Sequence, residues 1–134
     1  MTLYTGCIYH QTHPGTRISV MSRHTLQDGI TPDPNIIPSS YDEWQQNLAP
    51  PEKVVEAYLC GEINWNSAVF HYMLYLRTPE ITERVRILAS RATVRDVTIL
   101  CWEETLERCH RRLLAMRCKF LVPELEMRIL RSKS

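Results

Sequence analysis

The stretch Val97-Thr-Ile-Leu-Cys101-Trp102-Glu103-Glu104-Thr105-Leu106-Glu107-Arg108-Cys109-His110-Arg111-Arg112-Leu113-Leu114-Ala115 decides the fold. Its opening residues are nearly all apolar, which predicts a strand buried on both faces, as in a parallel sheet. Trp102 to Thr105 reads as a turn. Leu106 to Met116 then reads as a helix burying Leu106, Cys109, Leu113 and Met116. Open α/β proteins bind ligands where such a strand hands over to its helix, at the carboxyl edge of the sheet. Free amides and the positive end of the helix dipole attract anions there.

Arg108, Arg111 and Arg112 could add bidentate contacts to a phosphate or carboxylate. The same field favours a thiolate at Cys109, with His110 as a proton carrier and Glu103 as an acid or base. Each residue also has a plainer role. Cys109 fits the apolar stripe of the helix as a small core residue. His110 and the arginines fit a solvated face, and Glu103 fits a helix start.

Outward from this segment, Leu3–Tyr9 and Thr16–Ser22 read as strands, the second alternating Ile18 and Val20 with Ser19 and Met21. Gln11 to Gly15 between them carries the punctuation of a tight connection. Residues 25–40, rich in proline, read as a long loop. Asp42–Leu48 suggests a short helix with Trp44 and Leu48 on one side. Pro50 or Pro51 opens a further helix whose stripe is Val54, Val55, Tyr58 and Leu59, ending at Gly61.

Trp65, Ala68, Val69, Tyr72, Met73 and Leu76 follow helical spacing, with Asn64 as N-cap and Pro79 as stop. From Glu80 a helix turns Ile81, Val85, Leu88 and Ala89 inward and Arg84, Arg86 and Arg91 outward. Lys119–Val122 could be a last strand. Pro123–Leu130 could be a helix, or a strand alternating Leu125, Met127 and Ile129. Strands followed by helices, and then a strand feeding a helix, imply an α/β fold. At 134 residues it forms a single domain, residues 1–134.

Sixteen Lys plus Arg against fifteen Asp plus Glu leave +1, so overall charge names no polyanionic partner. No apolar run is long enough to span a membrane, and the first residues lack the pattern of a signal peptide, so a cytoplasmic location is expected. The cysteines, at 7, 60, 101, 109 and 118, are odd in number and include no CxxC pair. Reduced thiols fit this pattern better than a disulfide framework. No metal is expected, because Cys101, Cys109 and His110 lack a closed ligand set, and Cys7, Cys60 and Cys118 read as buried. No P-loop, GxGxxG, HExxH or GxSxG occurs, so no cofactor is expected.

The string Ile99-Leu-Cys-Trp-Glu103, followed by Cys109-His-Arg111 and Leu113-Leu-Ala115, resembles the closing signature of the domain of unknown function 488 family. Ile18-Ser-Val-Met-Ser-Arg23 resembles that family's second strand. Leu48-Ala-Pro50, Gly61-Glu-Ile63 and Tyr72 resemble its middle segment. Pro51, Ala68 and the Met21-Ser22 pair depart from the pattern. The resemblance implies an α/β/α layering, a mostly parallel sheet with helices on both faces. It also implies a pocket of Arg23, Cys101, Glu103, Cys109, His110 and Arg111 beneath the long loop, with Ser22, Trp102 and Tyr72 as further ligand contacts. Such a pocket favours a small anionic ligand, of which a nucleotide is the leading example.

Two other functions compete. Residues 105–134 are basic, with Arg108, Arg112, Arg117 and Lys119 among their cations, and could set a face against nucleic acid. Alternatively, an exposed Trp44–Tyr41 patch on the acidic half could dock a protein partner.

Overall fold

The computed structural model describes residues 1–10, 12–26, 28, 30–101 and 110–129. Its strands are β1 (Thr2–Cys7), β2 (Thr16–Ser19), β3 (Glu43–Trp44), β4 (Val97–Cys101) and β5 (Glu126–Ile129). Its helices are α1 (Glu52–Leu59), α2 (Trp65–Leu76), α3 (Pro79–Val94) and α4 (His110–Leu121). The strands form one sheet in the order β3-β2-β4-β1-β5, and every pairing is parallel. This is the expected α/β architecture. The continuous apolar run of β4 is explained by its place: it is the central strand, and all five of its residues are buried.

The first two strands are not partners, despite the short link between them, because β4 lies between them. Residues 8–10 and 12–15 therefore lie across one face of the sheet on the way back to its amino edge. The crossing is close. The Pro14 carbonyl accepts a hydrogen bond from Thr98 Oγ1 at 2.7 Å, and the His13 ring lies over Gly6. Gly15, at φ +67°, has its backbone against the Asp96 carbonyl.

The other face carries the main core. Leu3, Ile18, Val20, Val97 and Ile99 pack there with Tyr72 and Leu76 of α2, Val85 and Leu88 of α3, and Leu114 and Cys118 of α4. Of the helical cover expected on both faces, α2, α3 and α4 thus supply one. Ile8, Met21, Leu100 and Cys101 form a smaller second core, packed by Tyr9, Ile36 and Tyr41 from irregular chain.

Helix readings hold best where a cap reinforces the period. Asn64 Oδ1 accepts the Ser67 amide at 2.8 Å and starts α2. Ile81, Val85, Leu88 and Ala89 of α3 are buried, as their spacing predicts. Arg91 is not part of a solvated face. It forms a two-pronged ion pair with Glu43, at 2.5 and 3.0 Å, which ties α3 to the edge strand and holds the Glu43 carboxyl below its usual range. Residues 42–48 contain β3 and a single 3-10 turn at Gln46–Leu48 instead of one helix, with Leu48 buried and Trp44 40% exposed.

Three other expectations are corrected. α1 contains no buried residue and packs on α2, so its stripe is peripheral. Cys60 is exposed, whereas Cys7 and Cys118 are buried, and burial pushes the Cys118 thiol up to about 12. Lys119–Leu121 continue α4, and the tail takes the strand alternative, with β5 beside β1. Among the described residues, no helix is long and apolar enough to cross a membrane.

Candidate functional site

Because the strands are parallel, their carboxyl ends form one edge. Cys7 ends β1 directly beside Cys101, which ends β4, and Ser19 ends β2 beside Leu100. α4 brings His110 and Arg111 onto this edge.

His110 Nε2 lies 2.8 Å from the Val20 carbonyl oxygen, and Nδ1 lies 3.6 Å from Cys101 Sγ. A carbonyl only accepts, so Nε2 donates to Val20 while Nδ1 faces the Cys101 sulfur. The Tyr72 ring meets the imidazole edge-on, at 5.7 Å between centroids and 88° between planes. Tyr72 itself is fixed by its hydroxyl, which donates to the Leu48 carbonyl at 2.6 Å. Both nitrogens of His110 are engaged, so it clasps two strand ends. A proton-carrier role requires one of these bonds to open.

Arg111 is 1% exposed. Its Nη1 donates to the Cys101 carbonyl at 3.3 Å, while its buried Nε has no hydrogen-bond partner. Among the described residues no carboxylate pairs with it. A buried cation without a counter-charge is costly, and the carbonyl offsets only part of that cost. The core stripe of α4 consequently runs through Arg111, Leu114, Ala115 and Cys118, and Met116, expected inside, is 51% exposed. A charged residue at a core position hid the true face from the apolar pattern.

The predicted residues therefore divide into groups. Cys101, His110, Arg111 and Tyr72 come together at the carboxyl edge. Arg23 instead reaches Glu56 of α1 at 3.9 Å, and the Ser22 carbonyl accepts the Gln46 side-chain amide at 2.5 Å. Trp102, Glu103 and Cys109 lie outside the described residues. No group of three or more metal-ligating side chains occurs among the described residues.

Two polar pairs beside the edge went unread in the sequence. Ser19 Oγ lies 2.7 Å from His24 Nε2, and His24 stacks on Trp44 at 3.8 Å. Burial pulls the His24 pKa below its ordinary value. The Tyr9 hydroxyl donates to buried Asp33 at 2.5 Å. Burial and the Asp33 carboxylate together push the Tyr9 phenol up to about 12. These bonds pin the loop after β2 against the ends of β1 and β2. The loop's proline-rich composition shows length and irregularity, but carries no signal for such partners.

The family model described as the active DUF488-N3 subclade matches residues 3–119. The chain belongs to the domain of unknown function 488 family. The match includes the carboxyl ends of β1, β2, β3 and β4 and both His110 and Arg111, and it stops before β5. His110 and Arg111, within the matched range, open α4 and turn onto the ends of β2 and β4. No curated protein and no solved structure matches the chain.

Proposed function

We propose that this family member binds a small anionic ligand of nucleotide type at the carboxyl edge of its sheet. One observation carries the proposal: Arg111 is a fully buried guanidinium with a free Nε and no carboxylate partner among the described residues. An anion at this edge supplies the missing counter-charge in surroundings where charge pairs are strong. Phosphate is the best match, because its oxygens suit the guanidinium fork. The description of the matched subclade as active supports turnover. Turnover would draw on Cys109 as nucleophile and Glu103 as acid or base, from the segment that joins β4 to α4.

Calorimetric titration with inorganic phosphate and with adenosine monophosphate tests the proposal. Saturable binding that raises the melting temperature is expected, with Arg111→Met removing it. Absence of binding by either compound would overturn it. A polynucleotide that binds far more tightly, with a steep loss in salt, would favour the basic carboxyl-terminal part as the contact surface.

A further inference from the structure

A groove of about 560 Å³ begins at the carboxyl end of the edge strand β3 and is bordered by Trp44, Gln45, Gln46, Asn47 and Arg84. It is shallow and largely open to solvent. Its walls are held in place from behind. Trp44 Nε1 donates to the Met21 carbonyl at 2.7 Å, and the indole stacks on His24, which in turn meets Tyr41. The Tyr75 hydroxyl donates to the Asn47 carbonyl at 2.6 Å and fixes the turn below it. The Gln46 amide is fastened to the Ser22 carbonyl. An aromatic ring that remains 40% exposed while its N–H is already satisfied offers a planar surface for stacking.

The remaining walls supply polar chemistry for a ring edge and for a charge. The Asn47 side-chain amide has a donor and an acceptor side by side, and it makes no hydrogen bond to the described residues. That pairing matches the donor–acceptor edge of a nucleobase. Among the described residues, Arg84 forms one ion pair, with Glu80 at 3.7 Å, and both side chains are well exposed. Such a pair is weak and leaves the guanidinium open to a competing phosphate. The other nearby charges, Glu43 and Arg91, are committed to each other.

We infer that this groove is a nucleoside phosphate site: the base stacks on Trp44 and meets the Asn47 amide, and the phosphate reaches Arg84. His110 and Arg111 do not border this groove, so the inference does not rest on the carboxyl-edge proposal.

The test follows the indole N–H signal of Trp44 by nuclear magnetic resonance during titration with adenosine monophosphate, adenosine and inorganic phosphate in turn. Trp44→Phe assigns the signal. A saturable shift is expected with the monophosphate, a roughly tenfold weaker one with adenosine, and none with phosphate alone. Arg84→Gln should bring the monophosphate to the affinity of adenosine, and Asn47→Ala should weaken both. Both positions lie at the surface of the groove, so these variants should remain folded. Arg86→Gln, on the exposed side of α3 and bonded to Glu83, should leave the shift unchanged. No saturable shift, a shift indifferent to Arg84→Gln, or a shift lost in Arg86→Gln overturns the inference.

Discussion

His110 Nε2 and the Val20 carbonyl, 90 residues apart in the chain, meet at 2.8 Å. The bond joins the helix after the central strand to the chain just beyond the neighbouring strand. It does so because parallel strands deliver their carboxyl ends to one edge. The same ring meets the Cys101 sulfur through Nδ1, so one imidazole fixes two strand ends and the orientation of α4.

Replacing His110 with Ala should therefore loosen this edge. Loss of the Val20 bond alone costs about 1 kcal/mol. A lower melting temperature is expected, together with faster amide hydrogen exchange after β2. Unchanged exchange in residues 20–24 would show that the clasp is not structural.

Arg111→Met separates stability from binding. The substitution removes a buried charge that has one carbonyl partner and a free Nε, while keeping a side chain of comparable length. Ligand-free protein should be about as stable as the parent, or more so, since apolar replacements of buried ions are often neutral or stabilising. The rise in melting temperature on adding phosphate or adenosine monophosphate should vanish. A large loss of stability in the ligand-free variant would mean that the guanidinium is a structural strut.

Tyr9 gives the fold an alkaline limit. Its folded pKa, at about 12, lies above the ordinary tyrosine value of 10.0, so the Asp33 bond contributes fully below pH 10. That contribution is lost as the pH rises from 10 towards 12. Tyr9→Phe should cost about 1.5–3 kcal/mol near neutrality, as for a hydrogen bond to a charged group. It should also flatten the stability profile between pH 10 and 12. An identical alkaline slope in parent and variant would remove Tyr9 as its cause.

Gly15→Ala should be among the most damaging single changes in the chain. The left-handed backbone alone costs about 1–2 kcal/mol for a residue with a side chain. An added Cβ would also fall 2.0 Å from the Asp96 carbonyl oxygen, a backbone atom that cannot swing away. Urea denaturation should place the variant well below the parent, and a difference under 1 kcal/mol would mean that the crossing has room to shift.

The central strand, the capped helix α2 and the inward side of α3 were legible in the chain. Each is fixed by local chemistry: an apolar run in β4, an asparagine cap and a 3.6-residue period in the helices. The family signature was legible too, and with it the location of the candidate site at the end of β4. Tertiary structure alone decided that β4 separates β1 from β2, since strand order depends on how residues 8–10 and 12–15 lie across the sheet, and no local propensity encodes this. It also decided that Arg111 faces inward and Met116 outward, that Arg91 pairs with Glu43, and that His24 and Asp33 anchor the loop. In these cases the deciding contact joins residues distant in sequence, or buries a charge where the apolar pattern places none. The sequence supplies the side chains; only the folded arrangement settles which of them lose contact with water together.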